Sequence, residues 1–224
     1  ERTVTVTVTM RDTAKAKNYQ LEKTTATATA TITPVQTTLE LTAKDAVYTG
    51  LAYDAETKLT ASANVENPDI TYTYYADSNS AKGDALSTAP VNAGTYWVEG
   101  YIAASGNNSA VTSDAVQFQI TQAPLTATAE NKSATYGDTA PAYTVRYAGF
   151  VNNETESVVT GLITFDCAYA AGSDAGEYAI TPKGATAANY AITFVEGKLT
   201  VGKRTAALEW SGYAERTYDG KASS

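Results

Sequence analysis

The sequence predicts an all-β protein built from tandem modules, and three observations carry that prediction. Strict period-two alternation appears in Thr3-Val4-Thr5-Val6-Thr7-Val8-Thr9-Met10 and again in Ala26-Thr27-Ala28-Thr29-Ala30-Thr31-Ile32, the pattern of strands with one face buried. A turn closing on Gly and opening a Tyr-led strand occurs twice, as Asn92-Ala93-Gly94-Thr95-Tyr96-Trp97-Val98 and Asp174-Ala175-Gly176-Glu177-Tyr178-Ala179-Ile180, with Tyr96 and Tyr178 82 residues apart. Tyr48-Thr49-Gly50, Tyr136-Gly137-Asp138 and Tyr218-Asp219-Gly220 form a second series, spaced 88 and 82 residues, and Lys17-Asn18-Tyr19 has its echo in Ala188-Asn189-Tyr190. A period of about 80–90 residues is too long for a solenoid unit and suits a small domain with its own core.

Composition agrees. The chain has 224 residues, 43% of them hydrophobic, enough for about two ordinary domains. Thr and Tyr, which favour pleated half-buried surfaces, are abundant, with 16 Tyr in all. The net charge of −8 argues against a nucleic-acid partner and favours solubility. There is no His, which removes the commonest general base, zinc ligand and pH switch together. The single Cys cannot close an internal disulfide, which fits a bacterial surface protein better than a secreted animal domain. No apolar run reaches the length that would span a membrane, and no signal-peptide pattern opens the chain. Because the chain starts and stops inside modules, it is expected to be a fragment of a longer array.

In order, residues 1–34 read as the C-terminal half of a truncated repeat: two antiparallel strands joined by a polar loop and closed at Pro34. Residues 35–122 form the first complete β repeat. Leu39 and Leu41 mark a strand before the Tyr48 turn, Leu59-Thr60-Ala61 a short strand, and Asn67-Pro68-Asp69 a turn. Ile70 to Tyr75 is a strong strand, Asp77 to Asp84 a polar loop, Asn107-Asn108 a turn, and Val116 to Ile120 the closing strand. Residues 123–202 form the second complete repeat. Leu125, Ala127 and Ala129 alternate, and Ile163, Phe165, Cys167 and Tyr169 share a face. Glu196-Gly197, between the apolar runs at Tyr190 and Leu199, signals a hairpin. Val151 to Thr160 is the one segment with helical character, as a single turn or a short helix, with Asn152 or Asn153 as its cap. Residues 203–224 begin a further truncated repeat. Pro34 and Pro124 stand at the junctions, where proline restricts the chain and removes a ladder donor, and neither junction is a flexible Gly/Ser linker.

The Gly176-Glu177-Tyr178 turn resembles the entry to strand F of an immunoglobulin-like sandwich, in which a Tyr hydroxyl ties back to nearby backbone two residues before a Cys. Here Val98 and Ile180 hold the Cys position, so burial has to replace the disulfide. The expected fold is thus a set of tandem immunoglobulin-like β-sandwich modules; the alternative is a β-grasp-like module with Val151 to Thr160 as its helix. The second repeat resembles the MBG domains of bacterial surface proteins, through Tyr136-Gly137-Asp138, Tyr147-Ala148-Gly149-Phe150-Val151-Asn152-Asn153-Glu154-Thr155, Ala188-Asn189-Tyr190 and Gly197-Lys198-Leu199-Thr200-Val201. Residues 35–122 resemble a more divergent member, and Tyr218-Asp219-Gly220-Lys221 resembles the start of a YDG-type domain. The resemblance implies exported, adhesin-like proteins carrying such modules in series, and it brings no catalytic residues.

Candidate chemistry is sparse. Glu154 with Glu156, and Asp174 with Glu177, are spaced as carboxylate pairs that glycoside hydrolysis would use, but they read as solvated loop acids. Asp77, Ser78, Asn79, Ser80 and Asp84 offer oxygen ligands for calcium; Lys82 stands where an EF-hand loop needs Gly and no closing Glu follows, so they read as a polar turn. Cys167, without a His to activate it, reads as core. Lys132 and Asn189 are the pair from which a self-formed amide bond would come, with no acid placed beside them. Tyr72, Tyr74 and Tyr75, and Tyr96, Trp97 and Tyr101, are the aromatic sets from which a sugar-stacking surface would come, and alternation turns some of each outward.

The expectation is therefore a non-enzymatic spacer or stalk of a bacterial cell-surface or secreted adhesin-like protein. It has no catalytic, metal or cofactor site, no cofactor, no nucleic-acid partner and no membrane insertion; the sequence names no ligand-binding residue. The alternative is a module that binds a host glycan or matrix protein through exposed Tyr and Trp. The half-repeats at the two ends, each lacking what the other carries, are also expected either to pair head to tail between molecules or to leave one end disordered.

Overall fold

The computed structural model describes residues 2–10, 16–23, 25–30 and 33–208. The chain divides into two compact units, one comprising Glu1–Val47 and Leu51–Thr121, the other Tyr48–Gly50 and Gln122–Ser224. The Tyr218 turn expected to open a further repeat lies outside the described residues.

In the first unit the Thr/Val and Thr/Ala runs form β1 (Arg2–Thr7) and β2 (Thr25–Ala30), antiparallel, with Arg2 opposite Ala30 and Thr7 opposite Thr25. The main body follows as β3 (Leu39–Ala43), β4 (Ala46–Val47), helical turn α1 (Ala55–Lys58), β5 (Leu59–Ala63), β6 (Ile70–Asp77), β7 (Lys82–Ala85), β8 (Gly94–Ile102), β9 (Val111–Thr112) and β10 (Val116–Thr121). One sheet runs β4-β10-β8-β6-β7, with β9 also on β8; the other is the β3–β5 pair, and β3 packs across β8 and β10. Leu39, Leu41 and Leu59 from the small sheet and Tyr74, Val98, Ile102, Phe118 and Ile120 from the large one are the buried residues of this core. Tyr53 completes this core, its ring 4.1 Å from that of Phe118 and its hydroxyl donating to the Lys44 carbonyl at 2.7 Å, so a large apolar surface is buried without an orphaned hydroxyl. Helical turn α1 was not expected. Its signal is Asp54, which accepts from Glu56 N and Thr57 Oγ1 at 3.0 and 2.6 Å and thereby caps the first turn.

The second unit contains β11 (Ala123–Ala129), β12 (Lys132–Thr135), β13 (Val145–Ala148), β14 (Thr164–Asp166), β15 (Gly176–Lys183), β16 (Tyr190–Val195) and β17 (Gly197–Gly202). Its sheets run β13-β11-β16 and β12-β17-β15-β14, and β11 packs across β15 and β17. The expected alternation holds in β11, where Leu125, Ala127 and Ala129 are buried. Ala129, Tyr169, Ile180, Leu199 and Val201 form the core cluster, with Phe165 and Cys167 packed against it. Each unit is thus a β-sandwich, and the fold is nearly all β.

One expectation fails here, and a second holds only in its shorter form, with a different cap. Glu196-Gly197 is not a hairpin: β16 pairs in parallel with β11, while β17 pairs in parallel with β12 and antiparallel with β15. The chain changes sheets at this point, beside the matching change from β11 to β12. A Cβ on Gly197 would stand 2.4 Å from the Ala129 carbonyl oxygen, so the crossing needs glycine for close approach. The segment Val151 to Thr160 contains only a 3-10 turn, Glu156–Val158, capped by Thr155. Asn152 and Asn153 are not caps. Both have positive φ (50° and 58°), with Glu154 N bonded to Val151 O at 2.9 Å, a tight turn that asparagine tolerates. With no long helix in this segment, the β-grasp alternative loses its defining element.

Candidate functional site

The Tyr-led corners are the first local device that positions side chains. The Tyr96 hydroxyl donates to the Asn92 carbonyl at 3.0 Å, and the Tyr178 hydroxyl to the Asp174 carbonyl at 2.7 Å. Each bond spans four residues and fixes how the chain enters β8 or β15. The residue two further on points into the core: Val98 and Ile180 are both 0% exposed, so burial does replace the missing disulfide. The alternate residues of β8 consequently face outward.

That alternation sorts the aromatic sets. Tyr74 is buried, opposite Val98; Tyr72 lies opposite Gly100 on the core face; Tyr96 stacks 5.8 Å from Phe118. Tyr75, Trp97 and Tyr101 lie on the outer face. There Tyr75 donates to Glu99 at 2.7 Å, Lys82 pairs with Glu99 at 2.5 Å and lies 4.5 Å from the Tyr75 ring centre. The Trp97 indole N–H donates to Asp77 at 2.8 Å, which holds the ring in one orientation. These bonds lower the Glu99 carboxyl against the opposing effect of burial, and hold Asp77 below its usual range, chiefly through Trp97.

At the end of this strand the sheet opens into a cavity of about 480 Å³. One wall is Val65 to Asp69, the other Ile102 to Ser105 with Asn108, and Tyr101 and Thr71 join them. Both walls are pinned. Asn64 accepts from Thr38 N at 2.9 Å and donates to the Gln36 carbonyl at 3.0 Å. Val35 N and O bond to Asn107 O and Ser109 N at 2.7 and 2.9 Å. The expected Asn67-Pro68-Asp69 and Asn107-Asn108 turns are therefore the two lips of one opening, which sequence spacing did not bring together.

The second unit holds a different cluster, which sequence reading missed. Glu154 is half-buried and accepts from the Tyr48 hydroxyl at 2.6 Å and from the Tyr190 hydroxyl, which also accepts from Val151 N at 3.1 Å. Tyr48 and Tyr190 meet edge to face, 5.5 Å apart. Donation to Glu154, then burial, pushes the Tyr48 hydroxyl up to about 12; burial, then Glu154, raises that of Tyr190. Glu154 is thus a structural acceptor and not a solvated loop acid. Its sequence neighbour Glu156 is exposed at the start of the 3-10 turn.

The other candidates do not assemble. Asp174 uses its carbonyl in the corner, while Glu177 pairs with Lys198 at 3.0 Å. In the Asp77 loop, Ser78 and Ala81 exchange backbone bonds around Asn79 and Ser80, both at positive φ, making a tight hairpin turn. Asp77 already accepts from Trp97, Gln117 and Ser80 N, which leaves its oxygens turned toward donors. Among the described residues no group of three or more Asp, Glu, Cys or His is placed to hold a metal. Cys167 is half-buried beside Tyr143, whose hydroxyl is buried without a hydrogen-bond partner and pushed up to about 12, first by burial. Lys132 lies on β12 with its ammonium 3.1 Å from Glu130, whereas Asn189 precedes β16 in the other sheet and gives its carbonyl to Ala123 N. The Tyr136-Gly137-Asp138 turn is a framework element: Gly137 has φ +88°, Asp138 caps Thr135 N at 3.0 Å, and Arg204 bonds both Tyr136 O and Asp138 at 2.7 Å.

Residues 125–200 match the family model of the MBG domain (YGX type); the match does not extend to residues 35–122. No curated protein matches the chain. Among solved structures, the chain is similar to the fibronectin(III)-like modules of Clostridium thermocellum CbhA, at 13% identity over 78% of this chain and 100% of that one, with a TM-score of 0.25. It is also similar to Drosophila N-cadherin EC1-4, at 13% identity over 63% of this chain and 44% of that one, again with a TM-score of 0.25.

Proposed function

We propose that the chain is a non-enzymatic spacer of an exported bacterial surface protein, made of tandem β modules that hold another part of that protein away from its anchor. The observation that carries this reading is that two β-sandwich units are built by the same device. Each has a Tyr hydroxyl tied four residues back and a fully buried aliphatic residue two positions on. The MBG match over residues 125–200 supports the extracellular setting. Chemistry at the carboxylates gains no support, because Glu154 is occupied by two tyrosines and Glu177 by Lys198.

With strands of eight and nine residues at the corners, each module extends about 25–35 Å along its strand direction. Small-angle scattering of the chain is the test. An elongated particle whose maximum dimension approaches the sum of two such modules is expected. A maximum dimension close to that of a compact sphere of the same mass would exclude a spacer.

A further inference from the structure

We propose that the cavity at the end of β6 and β8 in the first unit binds a neutral saccharide. This goes beyond the spacer reading and does not depend on it. The cavity volume, about 480 Å³, falls within the range of about 300–1,000 Å³ typical of small-ligand sites. Its walls are held by backbone and Asn64 hydrogen bonds, so little ordering is left to be done on binding, and preorganisation of this kind favours affinity.

The lining has the composition that a sugar ring requires. Tyr101, 42% exposed, offers an aromatic surface to the C–H face of a pyranose, and its hydroxyl offers a polar edge. Thr71, Ser105, Asn67 and Asn108 supply donors and acceptors around it, suited to a ligand made of hydroxyl groups. Charge selects within that class. Among the described residues Glu66 and Asp69 line the cavity and no Lys or Arg does, so a sulfated or uronic-acid chain would be repelled while a neutral hexose or N-acetylhexosamine chain would not. Beyond the cavity Trp97 and Tyr75 continue the outer face along the same strands, and two steps of two residues from Tyr101 to Trp97 span about 13 Å, room for a chain longer than one ring.

The second unit shows that the sandwich does not need these features. Tyr101 lies opposite Thr71 in the β8–β6 pair, and Lys183 lies opposite Thr164 in the β15–β14 pair. By that register Lys183 holds the place of Tyr101, Ala179 that of Trp97, and Thr160 and Thr186 those of Asn67 and Ala104. Thr160 and Thr186 exchange two backbone bonds, at 2.7 and 2.8 Å, and zip that end of the second unit shut. The corresponding end of the first unit is open and faced by an aromatic ring.

The test is calorimetric titration of the full chain with cellotetraose, chitotetraose and maltotetraose, and with a heparin tetrasaccharide as the anionic control. Saturable binding of at least one neutral oligosaccharide at a Kd below about 1 mM is expected, with no binding of the heparin fragment. Tyr101→Lys, which places there the residue type that the second unit tolerates, should weaken binding at least about tenfold, and Tyr101→Phe should retain it; both should melt like the parent. Absence of binding by all three neutral oligosaccharides, equal binding of the heparin fragment, or binding unchanged in Tyr101→Lys would each overturn the proposal. None of these outcomes bears on the scattering test, so the two readings fail separately.

Discussion

Strands β8 and β15 start alike and then part. Both begin at a glycine, carry the corner tyrosine two residues on, and bury the next inward residue completely. Outward, β8 presents Trp97, Glu99 and Tyr101, whereas β15 presents Ala179, Thr181 and Lys183. A second correspondence runs deeper. At the crossing between sheets, Asp45 accepts from Gln119 N in the first unit and Asn131 from Lys198 N in the second, both at 2.8 Å. In each case a short side-chain oxygen replaces a ladder partner lost where the strand changes sheets, which keeps a backbone donor satisfied. The lesson is that inward and crossing positions answer to the sandwich, while the outward ones are free of it and can be spent on ligands.

That division makes predictions of decreasing size. Removing the buried aliphatic after the corner should cost most. Ile180→Ala is expected to destabilise the second unit by about 2–5 kcal/mol, with Val98→Ala somewhat less costly in the first because fewer buried atoms are lost. Urea unfolding would measure both, and a cost below about 1 kcal/mol for Ile180→Ala would mean the site can collapse and is not the pivot described.

Next comes the feature that the second unit alone has. Tyr48→Phe deletes a bond to a carboxylate and should cost about 1.5–3 kcal/mol. The bond to Glu154 and burial push the Tyr48 hydroxyl above the ordinary phenol range, up to about 12, so folding favours its protonated form. Its contribution is complete below about pH 10 and is lost as pH rises through about 12. Melting temperature followed from pH 9 to 12 should therefore fall more steeply in the parent than in Tyr48→Phe, and parallel slopes would remove the cluster from the account.

The smallest effect tests the shared device. Tyr96→Phe and Tyr178→Phe each lose one hydroxyl-to-carbonyl bond and should each cost about 1 kcal/mol. Denaturation of the two variants should give equal losses. If one were silent and the other cost about 2 kcal/mol, the two corners would not be the same device.

Much of this was legible beforehand, residue by residue. Alternation located β1, β3, β6, β11 and the burial of Leu125, Ala127 and Ala129, because a strand's period of two needs no knowledge of its partner. The corners were legible because a turn, a Tyr and an apolar residue lie within seven positions. What failed involved partners distant in sequence. Glu154 reads as a loop acid until Tyr48, 106 residues away, is placed against it. Glu196-Gly197 reads as a hairpin because turn chemistry is local, whereas the pairing of β16 with β11 and of β17 with β15 is not.

The sequence by itself determined that this is an all-β chain, where most strands lie, which residues open the corner strands, and that no histidine chemistry is present. These follow from local periodicity and composition, which act within a few residues. Only the tertiary structure decided which of Tyr72, Tyr74, Tyr75, Tyr96, Trp97 and Tyr101 face outward together. It also decided that two separate turns form the lips of one cavity, and that Glu154 is held between two tyrosines. Those outcomes depend on register and on which sheet a strand joins, and a one-residue shift of register would exchange every inward side chain for an outward one.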